Sequence, residues 1–135
     1  MATSKALIAV VDDDSSVVRS LGRLLRLAGY EVATFGSAQD FLGAVSILLP
    51  QCLVLDVHMP EMTGFELQGR LAAQGDCMPV IMMTAYDSPW TRACARRGGS
   101  FGLLVKPFDP QELLGAIAEA LGPSHGLVNE PGPGE

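Results

Sequence analysis

The chain has little of what would tie it to an oxidising compartment, a bilayer or a nucleic acid. Its three cysteines in 135 residues, Cys52, Cys77 and Cys94, are odd in number and too widely spaced for a zinc pattern, so they read as reduced thiols without a disulfide framework. No apolar run approaches the ~20 residues of a membrane span, and Met1 to Lys5 lacks a signal-peptide hydrophobic segment. Basic residues are outnumbered: nine Lys and Arg against fifteen Asp and Glu give a net charge of -6, which repels nucleic acid and anionic lipid. Direct nucleic-acid binding and membrane association are therefore not expected, a cytoplasmic location is, and a divalent cation suits so acidic a chain.

What is present is a core. Apolar residues make up 48% and charged residues 18% of a length that fits one domain. Short apolar runs, Ala6 to Val11, Glu31 to Phe35, Cys52 to Leu55, Pro79 to Met83 and Leu103 to Val105, alternate with segments of helical period, which predicts five strands and five helices. Helices are read over Ser15 to Ala28, from a Ser37 cap through Leu48, over Gly64 to Ala73, from a Ser88-Pro89 cap to Gly98-Gly99, and from an Asp109-Pro110-Gln111-Glu112 capping box to Leu121. Strands one, three and four are nearly all apolar and belong at the centre, whereas Glu31 to Phe35 reads as an edge. Right-handed crossovers then favour an α/β, flavodoxin-like (βα)5 doubly wound parallel sheet of order 2-1-3-4-5. One domain is expected over residues 1–121. Residues 122–135, half of them Gly or Pro, are expected to be a flexible tail or linker fragment.

In such a sheet ligands bind beyond the carboxyl ends of the strands, where strand order reverses. Strand one runs into Asp12-Asp13-Asp14, strand three ends on Asp56, strand four on Thr84 and strand five on Lys106-Pro107. Like charges about 4 Å apart repel by ~4 kcal/mol at an effective dielectric near 20, so converging carboxylates call for a cation. All-oxygen ligands suit Mg²⁺ or Mn²⁺. Asp13 and Asp56 are read as direct ligands, Asp12 as acting partly through water, and the His58 backbone carbonyl as filling another position. Asp56 is the natural nucleophile toward phosphorus, and its product would be an aspartyl phosphate. Lys106 and the Thr84 hydroxyl would serve the phosphoryl oxygens, with the Val57 and Ala85 N–H groups as further donors. Each residue alone has an ordinary explanation, an Asp run as a helix cap or a Lys-Pro as turn chemistry. Their joint placement at one end of one sheet favours the chemical reading.

Val10-Val11-Asp12-Asp13-Asp14, the run from Asp56 through Met59-Pro60, Met62 and Gly64, Thr84-Ala85 and Lys106-Pro107-Phe108 resemble bacterial response-regulator receiver domains over about residues 6–121. The stretch Thr34 to Leu42 resembles the FixJ-type subgroup. The resemblance implies that Asp56 accepts a phosphoryl group from a phosphohistidine on a sensor kinase or phosphotransfer protein. It also implies that Asp12, Asp13, Asp56 and the His58 carbonyl hold Mg²⁺, that Thr84 and Lys106 bind the phosphoryl group and relay its presence, and that the Lys106–Pro107 peptide is cis. The partner face would be helix four, strand five and helix five, presented to an appended output domain or a second copy.

The chain departs from that pattern at Leu103, where receivers usually carry Tyr or Phe. Phe101 is placed on the opposite sheet face and read as no substitute. Trp90 and Tyr86, near the start of helix four, are read as packing residues, with an exposed partner patch as the alternative, and the His58 side chain as a bland solvent-side group. A degenerate receiver acting as a phosphorylation-independent interaction module is the rival reading. A Mg²⁺-dependent phosphohydrolase would need an Asp where His58 stands, and an FMN carrier would need a phosphate-cradling loop in place of Asp12 to Asp14. Turnover of an external substrate is therefore not expected.

Overall fold

The computed structural model describes residues 5–122; the segment expected as a tail lies outside them except for Gly122. The elements are β1 (Leu7–Val11), α1 (Ser15–Leu27), β2 (Glu31–Phe35), α2 (Ala38–Leu48), β3 (Cys52–Asp56), α3 (Gly64–Ala73), β4 (Val80–Thr84), α4 (Pro89–Arg97), β5 (Gly102–Val105) and α5 (Pro110–Leu121). All strand pairs are parallel, in the order β2-β1-β3-β4-β5. The flavodoxin-like expectation is met.

The helix boundaries follow from local hydrogen-bond chemistry. Ser37 Oγ accepts the Asp40 N–H, Ser88 Oγ accepts the Thr91 N–H with Pro89 in the first turn, and Asp109 forms the capping box with Glu112. Thr63 forms a second capping box with Glu66 ahead of α3, a signal the sequence reading passed over. Gly29, at φ 101°, and Leu49, at φ 51°, take the left-handed conformation just past the ends of α1 and α2.

Alternation along the central strands divides the core in two. Ala9, Val11, Leu53, Leu55 and Met82 face α2 and α3, meeting Phe41, Val45, Leu67 and Leu71. Ile8, Val10, Val54, Ile81 and Met83 face the other way, onto Leu21 and Leu25 of α1 and Leu113 and Ile117 of α5. α4 lies beside α3, where Trp90 meets Phe65 edge to face with ring centroids 6.2 Å apart and Ser100 Oγ donates to Gln68 Oε1 at 3.2 Å. β3 and β4 are buried along their whole length, as their unbroken apolar runs predict.

Two boundaries move by one residue in a way that matters. β3 includes Asp56, paired in register with Met83, and β4 includes Thr84, paired with Val105. Both side chains are thereby anchored in the sheet itself.

Candidate functional site

At the carboxyl rim, Asp12 follows β1 and is 1% exposed, while Asp56 ends β3 and is 4% exposed. One carboxylate oxygen from each of Asp12, Asp13 and Asp56 lies within 4.8 Å of the others, with Asp13 on the solvent side. Lys106, just after β5, extends its Nζ between two of them, 2.8 Å from Asp12 Oδ2 and 3.0 Å from Asp56 Oδ1. Its partner Asp12 is further fixed by the Asp14 N–H, which donates to Asp12 Oδ1 at 3.0 Å. Four residues from the ends of three strands thus meet in one crevice.

The third member of the acidic run stands apart. Asp14 Oδ1 accepts the Ser16 hydroxyl at 2.7 Å and the Ser16 N–H at 2.9 Å, so it caps α1. The Ser16 hydrogen bonds hold its carboxyl below the ordinary range. The acidic run therefore divides between cap and cluster, because β1 ends at Val11 and the chain turns into α1 within three residues.

The electrostatics of the cluster pull in opposite directions. Burial pushes the Asp56 carboxyl above its usual value and the Asp12 and Asp13 charges add to that, against the opposing hydrogen bond from Lys106. For Lys106, burial favours the neutral amine, but hydrogen bonds to Asp12 and Asp56 outweigh it and hold the ammonium above the ordinary lysine range. One cation serving two buried acids, with a third acid at the rim, leaves the cluster net negative. The donor set is all oxygen and partly solvent-facing, which fits a hard divalent ion that retains water.

Thr84 is fully buried at the end of β4. Its hydroxyl donates to the Tyr86 carbonyl at 3.1 Å, accepts the Tyr86 N–H at 3.0 Å, and lies 3.2 Å from His58 Nε2. The imidazole packs edge to face on Tyr86, with ring centroids 5.1 Å apart. His58 is exposed, as a solvent-side group should be, but its side chain is engaged rather than bland. Tyr86 and Trp90 remain 68% and 65% exposed, so their edge contacts with His58 and Phe65 do not make them core residues.

Two further expectations need correcting. The Val57 N–H is already spent on the Met83 carbonyl at 2.9 Å, extending the β3–β4 ladder, and is not a free donor for a phosphoryl oxygen. Phe101 does not lie on the opposite face from Leu103, because residues two apart in a strand share a face. What separates it from the site is distance along the sheet: its N–H donates to the Val80 carbonyl at the far end of β4. Leu103, beside Met82, packs against the α2–α3 side of the core.

The loop after Asp56 closes tightly. The Gly64 N–H donates to the Val57 carbonyl at 2.9 Å, and a Cβ on Gly64 would stand 2.5 Å from the Asp56 carbonyl oxygen. Met59 and Met62, each 7% exposed, pack beneath this loop, and the Lys106–Pro107 peptide is cis.

Residues 8–118 match the sequence model of the response regulator receiver domain. The chain belongs to that family. It is 39% identical over 121 residues to the response regulator protein TmoT of Ectopseudomonas mendocina, covering 90% of this chain and 55% of that protein. To the transcriptional regulatory protein FixJ of Bradyrhizobium diazoefficiens it is 38% identical over 119 residues, covering 88% and 58%. The CheY-like receiver domain structure from Methanospirillum hungatei superposes with a TM-score of 0.82 at 30% identity, over 87% of this chain and 94% of that one. The chain spans about half the length of the curated relatives it matches. Among the described residues no helix is long and apolar enough to cross a membrane.

Proposed function

We propose that this receiver domain accepts a phosphoryl group on Asp56 in a Mg²⁺-dependent reaction and passes the signal on through its surface. The observation that carries the proposal is the meeting of a nearly buried carboxylate at a strand end, two further carboxylates and a lysine ammonium in one crevice. The phosphodonor is a phosphohistidine on a sensor kinase or phosphotransfer protein. An Asp56 carboxylate oxygen forms a bond to phosphorus while the bond from phosphorus to the histidine nitrogen breaks, and the nitrogen leaves with the electron pair. Asp12, Asp13, Asp56 and the His58 backbone carbonyl are the residues that would hold Mg²⁺. Bound there, the ion neutralises charge that develops on the transferring oxygens.

Lys106 already holds Asp56 in place and, as a compact cation, can turn to a phosphoryl oxygen without leaving the crevice. Thr84 sits on the neighbouring strand, where its hydroxyl can donate to another once freed from Tyr86. Departure of Thr84 from the β4–α4 loop would alter the face of α4, β5 and α5, which we assign to an output domain or a second copy of the chain. The greater length of the relatives supports an appended output domain, and membership of the receiver family supports the cytoplasmic setting proposed here.

Incubation with Mg²⁺ and acetyl phosphate tests the reading. Intact-mass spectrometry should show one added phosphoryl group, lost when Mg²⁺ is chelated and in Asp56→Asn. Modification that persists in that variant would reject Asp56 as the acceptor.

A further inference from the structure

The contacts around Thr84 assign a task to a side chain outside the acidic cluster. The threonine proton can serve only one acceptor, and we assign it to the Tyr86 carbonyl at 3.1 Å. His58 Nε2, 3.2 Å from the same oxygen, then carries a proton and donates to a threonine lone pair, beside the Tyr86 N–H at 3.0 Å. One donated and two accepted hydrogen bonds exhaust the capacity of a hydroxyl. The imidazole is itself braced by its edge contact with Tyr86, so the residue two beyond Asp56 and the residue two beyond Thr84 close on each other across the top of the hydroxyl.

We infer that His58 is a positioning residue which, with the Tyr86 backbone, holds the Thr84 hydroxyl in a saturated resting cradle. For Thr84 to donate to a phosphoryl oxygen, its proton must leave the Tyr86 carbonyl, and rotation of the side chain also breaks the His58 contact. The strength of that contact sets part of the free-energy gap between the resting and the phosphoryl-bound arrangement. A ring at position 58 without a donor nitrogen loosens the cradle, and a donor at the same reach without a ring keeps it. The kinetic consequence rests on the assignment of Asp56 as phosphoacceptor; the cradle itself does not.

The test uses the full chain with His58→Phe, which keeps an aromatic edge toward Tyr86 and loses the N–H, and His58→Gln, whose amide N–H₂ reaches about as far as Nε2. Without any phosphodonor, three-bond couplings measured by NMR give the Thr84 χ1 populations. The wild type and His58→Gln should each show one rotamer and His58→Phe a mixture. With Mg²⁺ and acetyl phosphate, His58→Phe should phosphorylate about twofold to tenfold faster, the range one net hydrogen bond allows, and His58→Gln should stay within about twofold of wild type. A single Thr84 rotamer in His58→Phe, or His58→Gln behaving like His58→Phe, overturns the inference. So does a mixed rotamer with an unchanged rate. If the wild type takes up no phosphoryl group, the reading of Asp56 fails while the rotamer populations still decide for or against the cradle.

Discussion

Replacing Asp56 by Asn should make the metal-free protein more stable, although it removes an ion pair. At an effective dielectric near 20, carboxylate oxygens no more than 4.8 Å apart repel by at least ~3.5 kcal/mol, and an ammonium at 3.0 Å attracts by ~5.5 kcal/mol. Asp12 repels Asp56 at nearly full strength, Asp13 less because water screens it, and Lys106 roughly offsets the two. Burial of a charge that is only 4% exposed then decides the sign, in keeping with the raised Asp56 value. Asparagine keeps the shape, and Lys106 keeps Asp12. The expected gain is about 1–2 kcal/mol, or about 4–8 °C in Tm for a domain of this size.

The pH dependence has a definite sign. The folded-state Asp56 value lies above 3.8, so folding disfavours the ionised form. The advantage of Asp56→Asn is complete above that folded value and shrinks as pH falls through it toward 3.8. Mg²⁺ should reverse the ranking, because saturation at 100 times Kd stabilises the wild type by ~2.7 kcal/mol while the variant has lost one of the proposed ligands. Thermal unfolding followed by circular dichroism, after chelation and then with added MgCl₂, between pH 4 and pH 8, reads all three effects. A variant less stable than wild type without metal, or shifted by Mg²⁺ as far as wild type, would refute this account of the cluster.

Lys106→Ala strands two buried acids, and because the lysine is 24% exposed the cost should be about 1–3 kcal/mol. Its folded value is raised above 10.5, so its stabilising effect is present below 10.5 and fades as pH rises through the folded value. Denaturant titrations at pH 7 and above that range test this, and calorimetry should find Mg²⁺ affinity largely intact. Gly64→Ala drives a methyl onto the Asp56 carbonyl at 2.5 Å and should cost about 1–3 kcal/mol. Phosphorylation by acetyl phosphate should fall with it, and an unaltered rate would mean that the loop moves independently of β3.

The sequence makes plain whatever depends on neighbours in the chain. Ser37, Ser88 and Asp109 mark helix starts because a cap is a hydrogen bond to an N–H two or three residues away. The unbroken apolar runs of β3 and β4 mark strands covered on both sides. The meeting of Asp12, Asp13, Asp56 and Lys106 could be foreseen because parallel topology sends every strand end to one rim. Contacts between loops could not. Whether Asp14 joins the cluster or caps α1, whether the Val57 N–H is free or continues the ladder, and what His58 touches are settled by tenths of an ångström in segments without period.

Lys106 stands 94 positions after the buried acid it neutralises. During synthesis Asp12, and after it Asp56, therefore emerges from the ribosome well ahead of the ammonium that balances both, and any product ending before residue 106 carries crowded acids with nothing to reconcile them. Under the proposed chemistry, a truncated or clipped polypeptide would compete poorly for the kinase. Completion of the last strand then doubles as a licence to listen, and fragments stay deaf to a message meant for finished molecules.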